Sequence, residues 1–181
     1  MLTKEQWRQA RDRAWAMLQR AGIVLTPEEL ERLEVADFAL GQLEQIGLEV
    51  VTYVNTDRVC AKEIVLFPYQ ICPEHLHPAV GGQPGKEETF RCRWGEVRLY
   101  VAGPATEPSL ARLPAERAKY FTVKHQIVLH PGEQYTLYPE SWHWFQAGPE
   151  GAIVSEFSTH STDEYDIFTD PDIRRKPEVE A

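Results

Sequence analysis

Basic charge is scarce in this chain. Nineteen lysines and arginines face 28 aspartates and glutamates, which leaves a net charge of −9 with histidine neutral. That balance argues against a nucleic-acid partner and against an anionic membrane surface. Long hydrophobic runs are also missing, and none approaches the roughly 20 residues a bilayer-spanning helix needs. The opening Met1-Leu2-Thr3-Lys4-Glu5-Gln6-Trp7 is polar and lacks the apolar core of an export signal. Cysteine is rare: Cys60, Cys72 and Cys92 are an odd number with no C-x-x-C pair. A disulfide framework is therefore not expected, and a reducing cytoplasm is. The three thiols read as small buried hydrophobes. No glycine-rich helix start or Arg/Lys cluster offers a phosphate cradle. No internal repeat stands out beyond two similar strand-loop-strand halves.

What is present suits one domain of 181 residues with an ordinary hydrophobic fraction of 43%. Residues 1–47 read as a helical segment, 48–168 as a β-barrel and 169–181 as a charged tail that wraps the surface or is partly disordered. Thr3 and Gln6 form a candidate capping box, followed by Trp7, Ala10, Ala14, Leu18 and Ala21 at helical spacing up to a stop at Gly22. Thr26-Pro27-Glu28-Glu29 starts a second, short helix through Leu33. Residues 37–46 are open between helix and loop. From Leu48 the pattern changes to many short strands at hairpin-like spacing, which indicates a sandwich or barrel. Two hairpins are expected, one about Gly95 and one about Gly148-Pro149-Glu150-Gly151. Residues 103–118, rich in Pro and Ala, read as an insertion loop.

The chemistry concentrates in a few side chains. His75 and His77, at i and i+2, project from one face of a strand that ends at Pro78. Alone, such a pair is equally compatible with a structural role. Glu88 opens a strand whose Phe90, Cys92 and Trp94 share its face. A carboxylate there is costly unless it is paired or holds a cation; the alternative is an exposed residue at a loop edge. His143, in Tyr138-Pro139-Glu140-Ser141-Trp142-His143-Trp144-Phe145, is the fourth candidate, or else a core histidine among aromatics. Three imidazoles and one carboxylate make a divalent-metal site. His125, His130 and His160 lack such partners.

The string His75-x-His77, Glu88-x6-Gly95 and Gly132-x6-Pro139-x3-His143 resembles the two motifs of the cupins. The step from His77 to Glu88 is longer than in typical cupins. With Lys86 two residues before Glu88, it is similar to the cupin D-lyxose isomerases. Trp142-His143-Trp144-Phe145, Ser155-Glu156-Phe157-Ser158-Thr159 and Asp163-Glu164-Tyr165-Asp166 add to the likeness, which covers the chain from about residue 45 onward. It implies a mainly β cupin barrel (double-stranded β-helix, jelly roll) with N-terminal helices. It also implies Mn²⁺ as working metal, a homodimer, and free sugars as substrates, D-lyxose/D-xylulose or D-mannose/D-fructose. Ligand chemistry alone permits Fe²⁺, Co²⁺, Ni²⁺ or Zn²⁺ as well.

If Gly148 pairs with Gly151, His143 pairs with Glu156, and the carboxyl stands beside the metal. Glu156 is then the expected acid/base for moving a proton between C2 and C1. Its alternative is a partner that merely orients a metal histidine. Lys86 is expected to polarise a sugar oxygen or shuttle its proton, and Asp166 to handle another hydroxyl proton. Lys86 also reads as a simple loop lysine. Lys62 reads as an outward-facing strand residue. Rival functions are an Fe²⁺ cupin dioxygenase, a phosphosugar isomerase and a sugar-binding cupin without catalysis.

Overall fold

The computed structural model describes residues 2–175. Helix α1 (Lys4–Arg20) begins with the expected capping box: Gln6 N–H donates to Thr3 Oγ1 and Thr3 N–H to Gln6 Oε1. Helix α2 (Pro27–Glu31) repeats the device with Thr26 and Glu29. The helices are followed by β1 (Glu34–Ala36), a strand inside the segment read as helical. Residues 37–46 are turns without a helix.

The strands β2 (Leu48–Asn55), β3 (Cys60–Leu66), β4 (Ile71–Leu76), β5 (Glu88–Val101), β6 (His125–Leu129), β7 (Gln134–Leu137), β8 (His143–Ser158) and β9 (Ile167–Phe168) complete one antiparallel sheet. The sheet curls on itself as a double-stranded β-helix, the cupin barrel the sequence suggested. Leu48, Val50, Ile64, Phe90, Leu99, Phe145 and Val154 fill its interior. Alternation sends the intervening residues outward. There Val51, Val65, Phe67 and Ile153 are covered by Ala10, Ala14, Met17 and Leu18 of α1. On the other flank the 102–124 loop covers Tyr100 and Trp144, whose rings stack 3.7 Å apart. Trp144 Nε1–H donates to Val123 O at 2.9 Å, so the buried indole is satisfied. No described helix is long and apolar enough to cross a membrane.

Neither expected hairpin exists. β5 runs through Gly95 and β8 runs through 148–151, and the two strands pair with each other along both halves. Gly95 opposes Ala152 while Val97 opposes Ala147, so Glu96 alone faces residues 148–151. The ribbon therefore bends at a wide bulge instead of reversing. Gly95 (φ 72°) and Gly151 (φ 91°) take the left-handed conformations this needs, and a Cβ on Gly95 would lie 2.1 Å from the Gly151 oxygen. Glycine signals mark a break in regular pairing, but the bend and the reversal use the same residues.

Glu49 is a buried carboxyl on β2 with Gln70 Nε2 3.4 Å away. Burial pushes its pKa well above the usual range; Gln70 and Arg13 offset only part of that. The native state thus holds a proton that the unfolded chain releases above its ordinary carboxylate pKa, and stability falls as pH rises from there. Glu49→Gln should be neutral near pH 4 and stabilising by about 1–3 kcal/mol at pH 8. Urea midpoints at the two pH values check this; an equal gain at both would remove the titration as the cause.

Candidate active site

β4 aims its histidines inward by a bulge. Cys72 opposes Phe145 and His75 opposes His143, three steps on β4 against two on β8. The extra residue shifts the alternation. Cys72, His75 and His77 then face the interior, and Glu74 faces out. Glu74 there accepts from Thr122 N–H and Thr122 Oγ1, both at 2.6 Å, and from Val123 N–H at 3.0 Å, which ties the 102–124 loop to β4. After His77 the chain passes so close to itself that a Cβ on Gly85 would sit 2.0 Å from the His77 oxygen. Only glycine permits the return that delivers Lys86 and Glu88.

His75, His77, Glu88 and His143 converge as expected. The ring centroids of His75 lie 4.3 Å from His143 and 4.9 Å from His77. Glu88 Oε1 is 3.2 Å from His77 Nε2 and 3.0 Å from His143 Nε2. Each imidazole uses Nδ1 on an oxygen behind it: His75 on Pro73 O at 2.8 Å, His143 on Ser141 O at 2.9 Å, His77 on Asp166 Oδ1 at 2.5 Å. Those bonds put a proton on each Nδ1 and turn the three Nε2 atoms toward one point, where His77 Nε2 also hydrogen-bonds Glu88 Oε1. His143 Nε2 is buried with no hydrogen-bond partner among the described residues, despite the nearby carboxylate. An orphaned ring nitrogen, two neighbouring Nε2 atoms and a carboxylate are a fitting donor set for a divalent ion. The three histidines can hold a metal ion.

The electrostatics divide the rings: burial and Lys86 lower His77, but Glu88 and Asp166 outweigh them and push it up to about 9, so a bound ion would have to displace its second proton. Burial, with His143 and His77 nearby, lowers the His75 pKa well below its usual value, so the ring is neutral as a ligand must be. Burial would raise Glu88, but the Lys86 ammonium and His77 hold it well below the carboxylate range. For Lys86, desolvation is outweighed by Glu156, Glu88 and Asp163, and the amine stays a cation. Lys86 Nζ lies 2.8 Å from Glu88 Oε2, 3.1 Å from Glu156 Oε1 and 3.3 Å from Asp163 Oδ1. It sits in the loop before β5, but buried among carboxyls and not as a solvated loop lysine.

Glu156 reaches this cluster by a different route from the expected one. It opposes Lys62 on β3 and Phe90 on β5, whereas His143 opposes His75 and Val101. The two residues sit on opposite arms of the bent ribbon, and folding of the barrel brings both to its interior. Lys62 also corrects its reading: it points inward, with Nζ 2.6 Å from Asp163 Oδ2 and 3.6 Å from Glu156 Oε1. Cys60 and Ile64, its i±2 neighbours, are buried and apolar, and that alternation was the available signal. Asp166 arrives where expected, but as the partner of His77. Asp163 was overlooked beside it. Arg175 was overlooked entirely. It bonds Glu34 and lies 3.4 Å from Asp163, and nothing local in a charged tail announces an inward arginine. Residues 169–175 of that tail pack on the barrel, with Ile173 buried; residues 176–181 lie outside the described residues. A narrow cleft runs between the polar cluster and an apolar wall that includes Phe38, Val50, Ile64 and Phe168.

Relatives sort this site. A family described as D-lyxose isomerase matches residues 109–181. The D-lyxose ketol-isomerase of Cohnella laeviribosi is 63% identical over 175 residues, 97% of this chain and 96% of the relative. The D-lyxose/D-mannose isomerase of Thermosediminibacter oceani is 59% identical over 180 residues, 99% of each chain. The L-ribose isomerase structure from Cellulomonas parahominis superposes with a TM-score of 0.80 at 16% identity, over 96% of this chain and 95% of that one, and thereby shows the fold. The barrel and its relatives make this protein an aldose–ketose isomerase of the cupin type. Within that class, the chain belongs to the D-lyxose isomerase family.

Proposed function

We propose that the protein interconverts free aldoses and ketoses, D-lyxose with D-xylulose and also D-mannose with D-fructose, using a divalent metal held by His75, His77, Glu88 and His143. The observation that carries this is Glu156 set between two ammonium groups beside a donor set of three imidazoles and a carboxylate. The names of the 59–63% identical relatives support the choice of sugars. Mn²⁺ is the proposed ion because the resemblance to the cupin D-lyxose isomerases implies it; the donor set by itself also suits Fe²⁺, Co²⁺, Ni²⁺ or Zn²⁺. When bound, such an ion polarises the sugar carbonyl and stabilises the negative charge that builds as C2 loses its proton.

The chain's own groups do the rest. Glu156 takes the proton from C2 and returns it to C1 through a cis-enediol. Lys86, a cation at neutral pH, protonates O1 as the carbonyl opens and recovers the proton released from O2. Asp166 holds His77 in the Nδ1–H tautomer, and through it the ligand geometry. Lys62 and Asp163 keep Glu156 and Lys86 in place. An Fe²⁺ dioxygenase has no use for this convergence of lysines and carboxyls, nor has a binding protein without a general base. The buried, unpaired thiols support a reducing compartment such as the cytoplasm. A homodimer is also proposed. Val54, Ala61 and Phe157 are neighbours in register on the outer barrel face, and Val54 and Phe157 are 40% and 50% exposed. Light scattering on the full chain should give twice the monomer mass.

The deciding experiment is a ketose-formation screen across free aldopentoses and aldohexoses with Mn²⁺ and with chelator. Turnover of D-lyxose that chelator abolishes is expected. No exchange on any free aldose with Mn²⁺ present would reject the proposal.

A further inference from the structure

Phe38 has no part in the chemistry above, yet it is held in a conformation that bulky residues avoid. Its φ is 54° and that of Ala39 is 62°, two consecutive non-glycine residues in the left-handed region. Such strain persists only where the surroundings impose it, and it gathers at ligand sites. Here the restraints are visible. Ala39 N–H donates to Asp37 Oδ1 at 3.0 Å, Leu40 N–H to Asp37 O at 3.0 Å, and Arg174 N–H to Phe38 O at 3.0 Å. The result is a fully buried ring in the wall of the active-site cleft. The ring meets Phe168 edge-on, centroids 5.8 Å apart, and Phe168 in turn lies 5.7 Å from the His75 ring. The three rings form a row leading away from the ligand cluster. The carbonyl bond to Arg174 ties that row to Arg175, which lines the same cleft.

We propose that Phe38 is a specificity-determining residue: its ring is the stop that limits how long a sugar chain the cleft accepts. This rests on the isomerase reading above. The reacting C1–C2 end must lie at Glu156 and Lys86, so the remaining carbons extend away along the wall. An apolar ring there neither bonds a terminal hydroxymethyl nor makes room for it. D-Mannose and D-lyxose share the configuration at C2, C3 and C4 and differ by one hydroxymethyl group, so the pair probes this contact directly.

The test measures kcat/KM on both sugars for the Mn²⁺-loaded wild type, Phe38→Ala and Phe38→Leu, with thermal melts as a folding control. The mannose-to-lyxose ratio is expected to rise about tenfold or more in Phe38→Ala and less in Phe38→Leu, the scale a methylene-sized difference commands in a pocket. The gain should fall mainly in KM for mannose, because the ring is remote from the proton transfer. If Phe38→Ala does not fold, the ratio in Phe38→Leu decides. An active wild type with an unchanged ratio in the folded variants overturns this inference alone. A wild type that turns over neither sugar overturns the isomerase reading, and this inference with it.

Discussion

Glu156→Gln should lower kcat about a thousandfold while leaving metal content and sugar affinity nearly unchanged. The substitution is close to isosteric. A glutamine Oε1 can still accept from Lys86 and Lys62, which lie 3.1 and 3.6 Å from the present oxygen, so the pocket keeps its shape. What it loses is the ability to take the C2 proton. Exchange of solvent deuterium into C2 of the aldose reads that step directly and should vanish along with ketose formation. The fall should appear in kcat and not in KM, since the group acts on the transition state and not on ground-state binding. Full activity in this variant would mean that another group moves the proton.

Glu88→Gln attacks the site at its most connected point. One carboxylate stands 3.0 and 3.2 Å from two imidazole nitrogens and 2.8 Å from the Lys86 ammonium, and its own exposure is 1%. The amide keeps the volume but removes the anion. Metal content after purification should fall to trace levels, and activity should fall to background. The metal-free variant should also lose about 3–5 kcal/mol of stability, because Lys86 is left buried beside one carboxylate fewer. Elemental analysis and denaturant titration separate the two effects. Normal metal content in a folded Glu88→Gln protein would remove Glu88 from the ligand set.

The candidate ligand set was legible because its chemistry is local. His75 and His77 lie two residues apart at the end of β4, Lys86 and Glu88 share a period of two, and His143 follows a proline-marked turn. The tilt of that reading toward sugar isomerase came from one unusual spacing, and the relatives bear it out. Glu156 was singled out for a register that does not exist. The hairpin about residues 148–151 is a bulge opposite Glu96, and the residue reaches the site by barrel closure instead. Lys62 failed for the opposite reason. Its neighbours Cys60 and Ile64 marked an inward face, but a lysine inside is stable only beside carboxyls that come from a hundred residues away. The loop residue Phe38 and the tail residue Arg175 carried no pattern at all.

By itself the sequence determined what depends on neighbours along the chain. That covers both capping boxes, the change from helical to strand pattern near Leu48, the three unpaired thiols and the four candidate ligands. Period and cap chemistry act over a few residues, so they can be read without the fold. Only the tertiary structure decided what depends on closure. A bulge at Pro73 sets which residues of β4 face inward, and a bend at Gly95 and Gly151 folds one ribbon into two arms. The burial of Lys62, Lys86, Asp163 and Arg175 as one network follows from the same closure. Charges of opposite sign can share an interior only when distant segments deliver them together, and no local pattern records that meeting.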